Sequence, residues 1–280
     1  MSVRTDLAME SVNISALPET VHMSERGEMF RITEIVIDDD SCKNSIGKGK
    51  GRYVTLEYDD LSRYTDEYEA MAEELSEEIK QFIPDGTVLV AGLGNADITP
   101  DALGPQAAAK VLATRHLHDE MGDEPFLCSL RPVAVFSGGV LGQTGIETAE
   151  IVRAVAREIK PSAIIAVDSL ACSDIRRLGT TIQITDTGIS PGSGVANARK
   201  ELSERCMGVP VIAIGVPTVV DMHTIVRSLT GEDAKGDMPN MMVTPRDIDR
   251  LTERGAQLLG FGINLALQST MSFEDVRGLF

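Results

Sequence analysis

Short apolar runs alternate with helix-period segments through the middle of the chain. Thr87–Ala91, Val133–Phe136, Ala163–Val167 and Val211–Val216 are unbroken apolar runs of strand length, and Thr180–Thr185 is a more polar one. Ala102–His116, Ile146–Ile159 and Val195–Arg205 read as helices; in the second, Ile151, Val152, Val155 and Ile159 fall on one side. A strand that is apolar at every position is buried on both faces, so helices must cover the sheet above and below. The pattern predicts an α/β protein of three layers, α/β/α, around a central, mainly parallel sheet.

The flanks read differently. The first 25 residues have few periodic apolar positions and read as an arm. Phe30–Asp38 and Arg52–Tyr58 alternate with period two, which predicts a half-exposed hairpin over residues 30–58. Its loop carries Gly47, Gly49 and Gly51, but no helical pattern starts directly behind it, as a phosphate-binding loop requires. A helix is expected from Asp66 to Ile83, with Thr65 as N-cap, and Pro84-Asp85-Gly86 ends it. The last helix is expected over Pro245–Leu267, with Thr244-Pro245 as its N-cap and first residue, after a polar, aperiodic loop at Thr230–Asn240. The organisation expected is an arm at 1–25 and one α/β domain at 26–280.

Composition narrows the function. No apolar run approaches the roughly 20 residues of a membrane helix, and the first residues lack the apolar core of a secretory signal. The four cysteines, Cys42, Cys128, Cys172 and Cys206, have no metal-ligand spacing, which suits a reducing cytoplasm. The net charge of −17 argues against nucleic acid and anionic membranes as partners.

In an open α/β sheet, sites form beyond the carboxyl ends of the strands. Asp168 closes the run Ala163–Val167, and Asp101 ends the turn that leaves Thr87–Ala91, just before a helix whose dipole would favour its charge. Asp101 is equally readable as an ordinary N-cap. Burying Asp168 alone would be costly, so a partner is expected for it. Two carboxylates at one sheet edge share a proton, leaving an acid and a base for hydrolysis. Gly92-Leu93-Gly94 lacks the third glycine of a dinucleotide turn, and Asp186-Thr187-Gly188 follows a strand of an α/β chain and reads as a turn. No G-x-S-x-G nucleophile elbow is present.

Several longer segments then match a known family. Thr99–Pro105, Val167–Leu170, Thr185–Ile189 with Pro191–Val195, Gly215–Asp221, Gly262–Leu267 and the opening Val3–Ala8 resemble, in order and nearly end to end, the germination proteases of spore-forming bacteria. In Phe136–Gly145, Gly138 stands where that family has proline. The resemblance implies an atypical aspartic endopeptidase that degrades small acid-soluble spore proteins in the spore core. It implies Asp101 and Asp168 as catalytic pair. Asn95, Asp186 and His223 are candidate supporting residues, and no metal or other cofactor is expected. The resemblance further implies a homotetramer made as a zymogen, with a candidate propeptide at residues 1–6 cut off at Asp6–Leu7. The turn and the expected fold also resemble hydrogenase-maturation endopeptidases, of the phosphorylase/hydrolase-like fold. On that alternative Asp101, Asp168 and His223 would hold a metal. A relative that binds without cleaving is the alternative from another class.

Overall fold

The computed structural model describes residues 5–11, 18–40, 47–120, 124–195, 199–232 and 241–280. The strands are β1 (Val21–Arg26), β2 (Arg31–Ile37), β3 (Gly51–Glu57), β4 (Val88–Gly92), β5 (Val133–Ser137), β6 (Ala163–Cys172), β7 (Thr181–Thr185), β8 (Val211–Asp221) and β9 (Met242–Val243). They form one mixed sheet in the order β1-β2-β3-β7-β8-β6-β4-β5, with β9 paired to β8. The expected parallel sheet is the half made by β8, β6, β4 and β5. The expected hairpin, β2 and β3, joins the same sheet antiparallel through β7 and extends it.

Alternation along the uniformly apolar strands splits the interior into two cores. Val88, Val90, Ile165, Val167, Ile212 and Ile214 face one way. They pack under α1 (Tyr68–Lys80), α2 (Leu103–Ala108) and a long helix at Ile248–Leu267. Leu89, Ala91, Ile164, Ala166 and Val211 face the other way and meet Ala149, Val152 and Ala156 of α3 (Thr148–Ile159). These are the layers the sequence predicts. Further helices are α4 (Met222–Thr230), α5, as the Ile248–Leu267 helix is called below, and α6 (Phe273–Arg277); short helices also form at Arg115–Glu120, Pro125–Ser129, Leu141–Thr144 and Glu204–Met207.

Local expectations differ from the structure in several places, each for a visible reason. The helix expected over Ala102–His116 stops after Ala108, where Asn264 of α5 takes over the main chain. Its Oδ1 accepts from Leu112 N–H and its amide donates to Lys110 O, both within 2.8 Å. No helix runs through residues 199–203, because Leu202 exchanges two main-chain hydrogen bonds with Ile189 instead; residues 196–198 lie outside the description. Thr65 accepts from Glu67 N–H in the turn before α1 and does not cap the helix. α5 begins at Ile248, whose N–H donates to Pro245 O in the turn leading in. β1 is a strand within the expected arm, paired residue for residue with β2. Of the expected loop Thr230–Asn240, residues 233–240 lie outside the description, as does Cys42; Cys172 and Cys206 are free thiols.

Candidate functional site

β4 and β6 run parallel only as far as the pair Gly92–Val167. β6 continues to Cys172, held from there by β8. Asp168 is therefore inside β6 rather than at its end, and it is the first residue past the point where β4 leaves the sheet. It is 4% exposed, and its Oδ1 accepts from Ser169 N–H at 2.9 Å.

The chain leaving β4 turns through Gly94, whose φ of +114° suits glycine, and a Cβ there would run into the main-chain oxygen of Asp101. Thr99–Asp101 forms a single 3₁₀ turn, and Asp101 Oδ2 accepts from Asn95 N–H at 2.8 Å. Asp101 does not cap α2, whose N-cap is Ala102 with no side-chain bond. Two buried threonines tether this turn from elsewhere. Thr218 Oγ1 of β8 donates to Pro100 O at 2.6 Å, and Thr252 Oγ1 of α5 donates to Thr99 O at 3.2 Å. Gly104 lets α2 press onto the sheet, since a Cβ there would strike the carbonyl oxygens of Leu93 and Val167.

Asp101 and Asp168 line one cleft of about 490 Å³ together with Asn95, Ser169, Asp6 and Met242. Both carboxyls are pushed upward in pKa. For Asp101 burial is the cause, opposed by the Asn95 N–H. Asp168 lies well above the usual carboxylate range through burial first, then the charges of Asp101 and Asp6. Asp168 thus holds a proton more tightly than Asp101, which is the asymmetry an acid and a base need. Ser169 Oγ is buried in the cleft without a hydrogen-bond partner among the described residues.

The other expected residues divide. Asn95 belongs to the cleft, and its Oδ1 accepts from Gln143 Nε2 at 2.8 Å. Asp186 lies outside it, where its Oδ1 accepts from Arg52 N–H at the start of β3. His223, in the first turn of α4, does not line the cleft. Among the described residues no group of three or more His, Cys, Asp or Glu side chains is placed to hold a metal ion, so the donor set of the metal alternative is not assembled.

Asp6 of the arm lines the cleft. Asp6 N–H donates to Ala171 O at 3.0 Å, while its carboxylate accepts from Ala171 N–H at 2.9 Å and from Ser193 Oγ at 2.8 Å. Leu7 is fully buried against Leu170, Cys172 and Val220. Ala8 is equally buried, and its N–H donates to Gln183 Oε1 at 2.9 Å. Glu10 anchors the end of this segment by accepting from Ser173 N–H, Ser173 Oγ and Asp174 N–H. Sequence reasoning missed Thr218, Thr252, Ser193 and Glu10. For the two threonines a signal existed, a hydroxyl among apolar positions; for the others there was none. Residues 1–4 lie outside the description.

In an α/β sheet a cleft at the carboxyl edge of the parallel strands is where sites form, and two carboxyls there can serve as an acid and a base. The profile described as germination protease matches residues 4–231. The chain is 39% identical to the germination protease of Clostridium tetani, over 99% of this chain and 98% of that one. It is 39% identical to that of Caldanaerobacter subterraneus over 100% and 98%, and 43% identical to that of Priestia megaterium over 80% and 65%. The chain belongs to the germination protease family and is a peptide-bond hydrolase with a role in the spore. Among solved structures, a [NiFe] hydrogenase maturation protease, HycI from Thermococcus kodakarensis, aligns with a TM-score of 0.38 at 18% identity, covering 66% of this chain and 98% of that one. Among the described residues no helix is long and apolar enough to cross a membrane.

Proposed function

We propose that this protein is an aspartic-type endopeptidase that begins the degradation of small acid-soluble spore proteins, in the spore core and as a homotetramer. The observation that carries the mechanism is the pair of carboxyls, Asp101 and Asp168, sharing one cleft with unequal proton affinity. Asp101, the more readily ionised, takes a proton from water as it adds to the peptide carbonyl. Asp168, kept protonated, gives its proton to the leaving amine. Each role supplies about 10²–10⁴-fold in rate.

The arm supports the specificity. Asp6 places an acidic side chain on two donors, Ala171 N–H and Ser193 Oγ, followed by an aliphatic and a small residue in closed apolar surroundings. We read this as the imprint of the substrate, with cutting after an acidic residue, and as the position from which Asp6–Leu7 is cut when the protein trims itself.

The test is to mix the protein with a small acid-soluble spore protein, with and without EDTA, and read the products by mass spectrometry. Cuts after acidic residues that survive EDTA are expected. Cuts abolished by EDTA would replace the aspartate pair with a metal, and no cuts at all would favour a binding relative without catalysis.

A further inference from the structure

The glycine-rich loop between β2 and β3 has no part in the chemistry above, yet it brings a cation to the bond in question. Lys48 Nζ donates to the main-chain oxygen of Asp6 at 2.8 Å. That oxygen is the carbonyl of the Asp6–Leu7 peptide bond. Lys48 is half-buried; burial draws its pKa below the usual lysine range, and the negative charges of Asp6 and Glu10 oppose that by favouring the ammonium. Its neighbours in the loop are themselves fixed: Tyr53 OH donates to Gly49 O at 2.8 Å, and Lys50 N–H donates to Asp40 Oδ1 at 2.8 Å. Docking of the arm does not depend on the lysine, because Asp6 already makes three hydrogen bonds to Ala171 and Ser193.

We propose that Lys48 is a catalytic residue, whose ammonium holds the carbonyl oxygen of the bond being cut and the negative charge that develops there. This rests on reading Asp6–Leu7 as a bond the enzyme cleaves. Water oxygen bonds to the carbonyl carbon and its proton passes to Asp101, while the carbonyl π-pair moves to the oxygen facing Lys48. The tetrahedral species collapses as that pair returns, the carbon–nitrogen bond breaks, and the Leu7 nitrogen takes the proton from Asp168. A proton passing from Asp101 to Asp168 restores the pair, leaving a carboxyl group and an amine. Lys48 keeps its own protons throughout and acts by charge and hydrogen bonding. In a site shielded from water one such donor is worth about 10²–10³ in kcat.

The test uses the full chain as Lys48→Met and Lys48→Arg, checked for wild-type circular dichroism, with a synthetic peptide copying residues 1–11 as substrate. The expected result for Lys48→Met is a roughly 10²–10³-fold fall in kcat with KM within about threefold of wild type, and recovery to within about tenfold in Lys48→Arg. An arm anchor without catalytic role predicts the reverse, an unchanged or faster Lys48→Met as the cleft is freed, and that outcome overturns the assignment while leaving the protease reading intact. If Lys48→Met does not fold, Lys48→Arg decides alone: a rate equal to wild type, or a change in KM only, overturns the assignment. A wild-type protein that cuts neither the peptide nor itself overturns both.

Discussion

The main-chain N–H of Asn95 points at Oδ2 of Asp101 from 2.8 Å, which turns that carboxylate back onto its own loop and not onto the helix that follows. One donor steadies the charged form against the cost of burial. Asp168 has one main-chain donor as well, from Ser169, but is buried more deeply and faces two other acids. The difference between the two acids is thus built from depth and neighbours rather than from residue type.

Asp101→Asn and Asp168→Asn are each expected to lower kcat by at least about 10²-fold with the fold intact, and the double variant should fall well short of the product of the two losses. Product formation followed by mass spectrometry, beside circular dichroism, checks this.

Asp168→Asn should also stabilise the protein. The folded state holds the Asp168 proton beyond the pH at which the unfolded chain releases it, so wild-type stability falls as pH rises from about 4 toward the folded value. Asparagine is spared that loss. Thermal melts should show the variant at least about 2 °C higher at pH 7, with the gap closing below about pH 4.

On the proposed mechanism, an acidic residue before the cut would take part in its own cleavage. The Asp6 charge is one of the causes that raise Asp168, so a substrate acid in that place keeps the catalytic acid protonated to higher pH. Paired peptides carrying Asp or Asn just before the bond to be cut should differ in the alkaline limb of their kcat–pH profiles, the Asn peptide losing rate at lower pH. Superimposable limbs would mean that the substrate charge does not reach Asp168.

Thr218 is a positioning residue. Thr218→Val removes the bond to Pro100 O and leaves a carbonyl unpaired, at a cost of about 1–2 kcal/mol in stability. Because Pro100 precedes Asp101, kcat is expected to fall by roughly tenfold with little change in KM, as for a group misplaced by a fraction of an ångström.

The parallel half of the sheet and both cleft aspartates were legible because they obey local rules. Unbroken apolar runs of strand length leave few other structures, and an acid adjoining such a run must have a reason to be there. What escaped depends on partners far away in sequence. Ala102–His116 has the helical period, and it is Asn264, from another helix, that unwinds its second half. Asp168 looked like a strand end because Val167 is the last of five apolar residues, whereas the strand is prolonged by β8 beside it. Thr218, Thr252 and Lys48 act on main-chain oxygens, which every residue has, so their targets leave no mark in the sequence.

β6 outlasts β4, and that inequality of length leaves a vacancy in the sheet one strand wide. Asp6 occupies it: its N–H donates to Ala171 O, as a guest strand's would, while its side-chain carboxylate accepts from Ala171 N–H. Any other chain admitted there must come extended, with its backbone groups unspent. A well-folded protein, whose amides are already committed to one another, has nothing to offer such a berth. The missing length of one strand would therefore act as a filter on the shape of the substrate, passing loose chains and leaving compact neighbours in the same compartment uncut.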